Sequence, residues 1–299
     1  MTPVEIPESL RRMMAEIGPR WASDVPGNVR RMVEAFTPLL AGCPKAGVTR
    51  RDDIAYGPHP RQVLDAYVPD GAARAPIVAF LHGGAFVDGE KNRSAEVYAN
   101  VCWYLARHGI VALNLEYRLA PEFPYPAATD DLAAAMRWAA ANAHELGADM
   151  QRLFVFGHSA GAAHAAHYAY SESARQGAPA PAGAIVVSGR VRPDNLPHNP
   201  NARKVEAYYG TDASVYEARA AVSLLGTDPV PTFIAIAEYE NPLLDVYCLE
   251  LAWRIAALRR RAPRILQLAG HNHTSIIAHI NTADDELGRA ILAFVREPR

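Results

Sequence analysis

Residues Leu153-Phe154-Val155-Phe156-Gly157-His158-Ser159-Ala160-Gly161 carry an apolar, strand-like run directly into Gly-x-Ser-x-Gly and then into an alanine-rich, helix-like stretch. A serine displayed on a sharp strand-to-helix turn is the layout of a nucleophile elbow. The turn demands small residues two before and two after the serine, so that strand and helix can approach, and Gly157 and Gly161 supply them. A bare Gly-x-Ser-x-Gly also turns up by chance in loops. Here the flanking strand and helix argue for the elbow.

Outward from this stretch, apolar or β-branched runs lie at about 50–56, 62–68, 76–81, 110–116, 152–157, 183–188, 231–237 and 263–268. They predict eight strands. Gly57-Pro58-His59-Pro60-Arg61 separates the first two by a turn short enough for an antiparallel hairpin. The later strands alternate with helical stretches, which favours parallel pairing and an α/β layered fold with sites at the carboxyl ends of strands. One such helix is expected over 129–146, with Thr129 as its cap, Asp130 and Asp131 in its first turn, and Leu132, Met136 and Trp138 as its apolar bulk. Residues 1–45 carry two helical patterns, Glu8–Ile17 and Val29–Leu40, and are expected to form a small N-terminal cap on a catalytic domain over 46–299. A Pro- and Asn-bearing insertion at 190–225 is a second candidate lid.

With 299 residues, half of them hydrophobic, the chain can bury a sizeable single core, and its formal net charge of -2 offers no attraction to nucleic acid or anionic membranes. The expected partner is a small neutral molecule; neither nucleic acid nor membrane is expected, and a homodimer is left open. Cys43, Cys102 and Cys248 are too few and too scattered for a disulfide framework or a Cys-x-x-Cys site, so they read as reduced thiols in a cytoplasmic protein. The first twelve residues lack an apolar stretch of signal-peptide length, and no run approaches a membrane span, so neither secretion nor insertion is expected.

A serine hydroxyl is a weak nucleophile, so Ser159 requires a base within reach, and the base requires an orienting carboxylate. In this layout the chain order is serine, acid, histidine. The run 231–237 ends in Ala237-Glu238-Tyr239-Glu240-Asn241-Pro242, and the run 263–268 in Ala269-Gly270-His271-Asn272-His273-Thr274. Glu240 stands in the turn and is favoured as the acid, ahead of Asp245 and then Glu238; His273 is favoured as the base over His271. No third ligand stands at a matching spacing beside His271-x-His273, so no metal and no other cofactor is expected.

A tetrahedral oxyanion needs backbone donors already in place. Ala160, next to the serine, offers one amide, and His82-Gly83-Gly84-Ala85-Phe86 after the third strand offers others, with His82 and Gly83 supporting the loop. His158 is expected to pack behind the site. His164 and His167 are expected to be satisfied helix residues, His279 a helix surface residue, and Arg118 with Glu122 a structural pair.

His82-Gly83-Gly84-Ala85-Phe86, Tyr117-Arg118-Leu119-Ala120-Pro121-Glu122, Phe123-Pro124-Tyr125-Pro126-Ala127 followed by Asp130-Asp131, and Gly157-His158-Ser159-Ala160-Gly161 together resemble the hormone-sensitive-lipase-like esterases of the α/β-hydrolase superfamily. The resemblance spans about 76–280. It implies the α/β-hydrolase fold, a serine carboxylesterase with oxyanion donors at Gly84, Ala85 and Ala160, and an N-terminal helical cap. The chain departs from that pattern at Ala85, where a third glycine is usual, at His158, where an aspartate is usual, and at Glu240 in place of the usual aspartate acid. The surroundings of Glu240 and His273 look more like the related branch of arylformamidases and small bacterial esterases. The expected reaction is hydrolysis of short-chain or aromatic esters through an acyl-enzyme, with Phe86, Val87, Trp21 and Phe36 as apolar residues near the lids. The rivals are an arylformamidase or amidase using the same triad, and a ligand-binding protein that keeps the scaffold without the chemistry.

Overall fold

In β3 (Ala75–Leu81) and β5 (Ala148–His158), successive side chains point to opposite faces of one sheet. Ile77, Ala79, Leu81, Leu153 and Val155 enter one core layer; Val78, Phe80, Phe154 and Phe156 enter the other. Strands apolar on both faces belong in the middle of a sheet covered by helices on both sides. The computed structural model, which describes residues 3–297, has that architecture.

The remaining strands are β1 (Val48–Ala55), β2 (Val63–Pro69), β4 (Val111–Leu115), β6 (Gly183–Val187), β7 (Thr232–Tyr239) and β8 (Arg264–Asn272). Together the eight form one sheet in the order β1-β2-β4-β3-β5-β6-β7-β8. β1 and β2 form the expected antiparallel hairpin, β2 is antiparallel to β4, and every pairing from β4 to β8 is parallel. All eight strands were thus legible in the sequence, with ends displaced by a few residues.

One face of the sheet packs against α1 (Glu8–Ile17), α2 (Val25–Ala41), α3 (Ala99–Arg107) and the helix Glu286–Arg296. The other packs against α4 (Ala127–Ala141), α5 (Ala160–Tyr170) and the helices Ala202–Tyr209 and Leu244–Arg259. The two helical patterns read in residues 1–45 are α1 and the body of α2, and the 190–225 segment folds around Ala202–Tyr209. Residues 1, 2, 298 and 299, the outer ends of the two expected units, lie outside the described residues. Among the described residues, no helix is long and apolar enough to cross a membrane.

Register positions the functional ends. Leu81 pairs with Gly157, His158 with Val187, Val187 with Ala235, and Tyr239 with Asn272. The loops that follow β3, β5, β6, β7 and β8 therefore emerge at one edge of the sheet.

Three expectations about individual side chains are corrected. Thr129 does not cap α4, which begins after Pro126; its hydroxyl meets His167 Nδ1 at 3.1 Å inside the core. Arg118 does not pair with Glu122. Its guanidinium embraces the fully buried Asp131 (Nη2 to Oδ1 2.6 Å, Nε to Oδ1 2.9 Å), so this carboxylate serves an ion pair rather than a solvent-facing helix turn. His279 is not on the surface: it is fully buried, directly after the short helix Ser275–Ala278.

Candidate active site

Ser159 sits between β5 and α5 with φ +56° and ψ -118°, a conformation that costs a non-glycine residue free energy and is kept only where its surroundings impose it. The imposition comes from close packing of strand, helix and neighbouring loop. A Cβ on Gly157 would lie 2.2 Å from the Gly161 carbonyl oxygen, and one on Gly161 would lie 2.3 Å from that of Leu81. The elbow inferred from the sequence is therefore present.

His273 follows β8. Its Nδ1–H donates to Glu240 Oε2 at 2.6 Å, which leaves the Nε2 lone pair to accept from the Ser159 hydroxyl at 3.1 Å. Both side chains are over nine-tenths buried. Of the three carboxylates considered, only Glu240 reaches the histidine. Its other oxygen, Oε1, accepts from the Ala237 amide at 2.8 Å and from the Ser188 hydroxyl, so the carboxylate is held at both ends. Glu238 instead turns outward to the Gly270 amide, and Asp245 opens the helix Leu244–Arg259. Ser188 escaped the sequence reading; its place at the end of β6, between the serine strand and the acid strand, was the only signal for it.

The amides of Gly84, Ala85 and Ala160 have no protein acceptor among the described residues, and all three residues line the cavity in front of Ser159. Gly84 has φ +150°, and a Cβ there would overlap the Asp88 carbonyl, so the loop can take this course only with glycine. Ala85 has φ +51°, which alanine tolerates at some cost. The Gly83 amide is not free; it donates to the Tyr98 hydroxyl at 3.3 Å.

His82 stands at the start of this loop. Fully buried, it contacts the Gly83 carbonyl through Nδ1 (2.8 Å) and Glu116 Oε1 through Nε2 (3.0 Å), and stacks on Tyr117. Burial opposes the charge on Glu116, but hydrogen bonding and charge from His82, with the Arg61 guanidinium, hold the carboxyl below its usual range.

His158 lies behind the site, as expected. Nε2–H donates to the His273 carbonyl at 2.9 Å, and Nδ1 accepts from the Tyr98 hydroxyl at 3.3 Å. Burial, reinforced by the neighbouring His273, pushes its pKa well below that of free histidine, so it stays neutral. A chain of contacts from Gly83 through Tyr98 and His158 to the His273 backbone thus couples the loop of free amides to the loop of the base. Tyr98 was not singled out in the sequence.

The cavity has a volume of ≈ 370 Å³, at the small end for sites of small molecules. Val25, Val29 and Val33 of α2, with Val97 and Ile277, form its apolar wall, and Arg190 and Lys204 of the 190–225 segment also line it. The apolar residues read near the lids are not the ones that wall the cavity. Phe86 is buried against Tyr208, Phe36 lies in the core, and neither these nor Val87 nor Trp21 lines the cavity. Trp21 instead anchors the N-terminal segment, donating from Nε1 to Asn241 Oδ1 at 2.8 Å beside the Glu240 turn.

With this geometry established, comparison with known proteins is decisive for the family. A family model described as the alpha/beta hydrolase fold matches residues 78–244, more than half of the chain. The chain belongs to the α/β-hydrolase fold family. This α/β hydrolase is 41% identical over 93 residues to esterase LipI of Mycobacterium tuberculosis, covering 30% of this chain and 27% of the relative. It is 35% identical over 140 residues to ethyl acetate hydrolase of Pseudomonas putida, covering 44% and 42%. The matched stretches thus span between about a quarter and less than half of these relatives' length. A solved bacterial heroin esterase superposes with a TM-score of 0.72 at 25% identity, covering 92% of each chain. The resemblance to hormone-sensitive-lipase-like esterases therefore holds.

Proposed function

We propose that this α/β hydrolase cleaves carboxylic esters of short acyl chain through an acyl-enzyme formed on Ser159. The observation that carries the reading is the unbroken contact from Ser159 Oγ to His273 Nε2 and from His273 Nδ1 to Glu240, facing three free amides. In this reading His273 takes the serine proton as Oγ attacks the ester carbonyl, and Glu240 keeps the imidazole in the tautomer that can do so. The amides of Gly84, Ala85 and Ala160 receive the developing oxyanion. His273 then gives the proton to the leaving alcohol, and the same base activates water to release the acid. The names of the relatives, esterases and an ethyl acetate hydrolase, support ester over other acyl substrates. The small valine-walled cavity supports a short chain, and the three buried, free cysteines support the cytoplasmic, reducing compartment.

The test is hydrolysis of p-nitrophenyl acetate and butyrate, together with labelling by a fluorophosphonate. Ser159→Ala is expected to lose kcat by about 10⁶-fold and all labelling. A wild-type rate in this variant, or an unlabelled wild-type protein, would overturn the mechanism.

A further inference from the structure

His271 precedes the base by two residues, yet faces away from it. Its ring lies 4.4 Å from that of His279, and its Nε2 lies 3.2 Å from Asp284 Oδ2. One ligand atom from each of His271, His279 and Asp284 falls within 4.8 Å of the others, and both histidines are more than nine-tenths buried. The sequence reading dismissed a metal because His271-x-His273 had no third partner; the fold pairs His271 with His279, eight residues on, instead.

The hydrogen bonds around the cluster fix where the lone pairs are. His279 Nδ1 contacts the Ser275 carbonyl at 2.8 Å, an acceptor only, so Nδ1 carries the proton and Nε2 the lone pair. That Nε2 is buried and has no hydrogen-bond partner. A buried acceptor without a donor loses its hydration for nothing in return, so an unpartnered Nε2 calls for an occupant. His271 Nδ1 lies 3.2 Å from Ser275 Oγ, which also accepts the Asn272 amide at 2.9 Å and can direct its own proton to the Asn272 carbonyl at 3.4 Å. Ser275 thus provides an oxygen to the Nδ1–H of each ring, the outer-shell arrangement that points histidine Nε2 atoms at a metal.

We propose that His271 Nε2, His279 Nε2 and the Asp284 carboxylate form a binding site for a borderline divalent transition-metal ion such as Zn²⁺, with water completing its coordination. Two imidazoles and one carboxylate are a donor set such ions favour, and bonds of about 2.0–2.2 Å would draw the three ligands inward from their present spread. Any proton that His271 Nε2 shares with Asp284 Oδ2 would be displaced to solvent as the metal binds, so binding should strengthen as pH rises. The ion would touch neither Ser159 nor the substrate cavity. It would fasten the segment after β8, which carries His273, to the turn before the helix Glu286–Arg296.

The test uses the full chain, stripped with a chelator and titrated with ZnCl₂ by calorimetry, and with CoCl₂ by visible absorption. The expected result is one equivalent of Zn²⁺ bound at micromolar or lower concentration, a higher Tm with Zn²⁺, and cobalt bands of a nitrogen- and oxygen-ligated ion. His279→Gln and Asp284→Asn should each weaken binding by about a hundredfold or more, since even outer-shell changes cost 10–100-fold. Ser159→Ala and His273→Ala should bind as the wild type does. Asp284→Asn changes a side chain about a fifth exposed and keeps the readout available if His279→Gln does not fold. Absence of stoichiometric binding, equal affinity in Asp284→Asn and wild type, or loss of binding only in His273→Ala would overturn the proposal.

Discussion

At Glu240 the chain replaces the shorter acid usual among the esterases it resembles, and the structure shows what accommodates the extra methylene. The longer side chain reaches back so that Oε1 is fixed by the Ala237 amide and the Ser188 hydroxyl while Oε2 faces His273. Glu240→Gln keeps the shape but presents an amide that can either donate to His273 or fail to orient its Nδ1–H. It is expected to lower kcat by about 10³–10⁴-fold with a much smaller change in KM, because the wrong imidazole tautomer is then favoured. Steady-state kinetics on p-nitrophenyl acetate check this; a loss confined to KM would remove the carboxylate from the proposed role. Ser159, His273 and Glu240 were legible because chain order and strand ends constrain them. Ser188 and Tyr98 were not, since nothing in their local sequence marks the contacts that Ser188 makes across 52 positions and Tyr98 across 15 and 60.

Among the elements, α2 has two jobs along two stripes. Met32, Phe36 and Leu40 recur every four residues and enter the core, while Val25, Val29 and Val33 recur at the same spacing and wall the cavity. The helical period over 29–40 was readable, but two apolar stripes look alike in one dimension, and only the packed sheet says which one is left for a ligand. Phe86 and Phe36, read as apolar residues near the lids, do not wall the cavity for this reason: large aromatics fill the core first, and the branched aliphatics remained for the cavity. Val33 is half-buried, so a larger side chain there intrudes on the cavity rather than on the core. Val33→Phe is expected to cut kcat/KM for a hexanoyl ester by about 10- to 100-fold while leaving an acetyl ester within about threefold, the discrimination that one or two methylenes command in an apolar pocket. A p-nitrophenyl ester series checks the split, and a uniform fall across chain lengths would place Val33 outside the acyl wall.

For the whole molecule, eight strands in alternating layers were legible because period-two burial and helical spacing are local. The seating of residues 3–45 was not, because the contact that anchors it, Trp21 to Asn241, joins positions 220 apart. The same deep packing carries a consequence for acid stability. His158, His164 and His167 are buried neutral. Burial, aided by neighbouring histidines for the first two, pushes His158 well below the usual range and His164 to about 3, and burial alone takes His167 to about 4. His167 is held without charge between Tyr125 Oη and Thr129 Oγ1, each 3.1 Å away. In the unfolded chain each titrates near 6.5, so below that pH the unfolded state binds more protons than the folded state. The stability these groups allow is fully present above about pH 6.5 and declines as pH falls toward the folded values. At pH 5 each costs about 2 kcal/mol, an amount set by the unfolded pKa alone because the folded groups have not yet titrated. Urea unfolding at pH 7.5 and pH 5.0 should show that decline before the paired carboxylates protonate. His167→Gln, which keeps a polar side chain between the two hydroxyls but cannot titrate, should lose about 2 kcal/mol less over the same interval. An equal loss in wild type and His167→Gln would mean that His167 accepts a proton within the folded protein above pH 5.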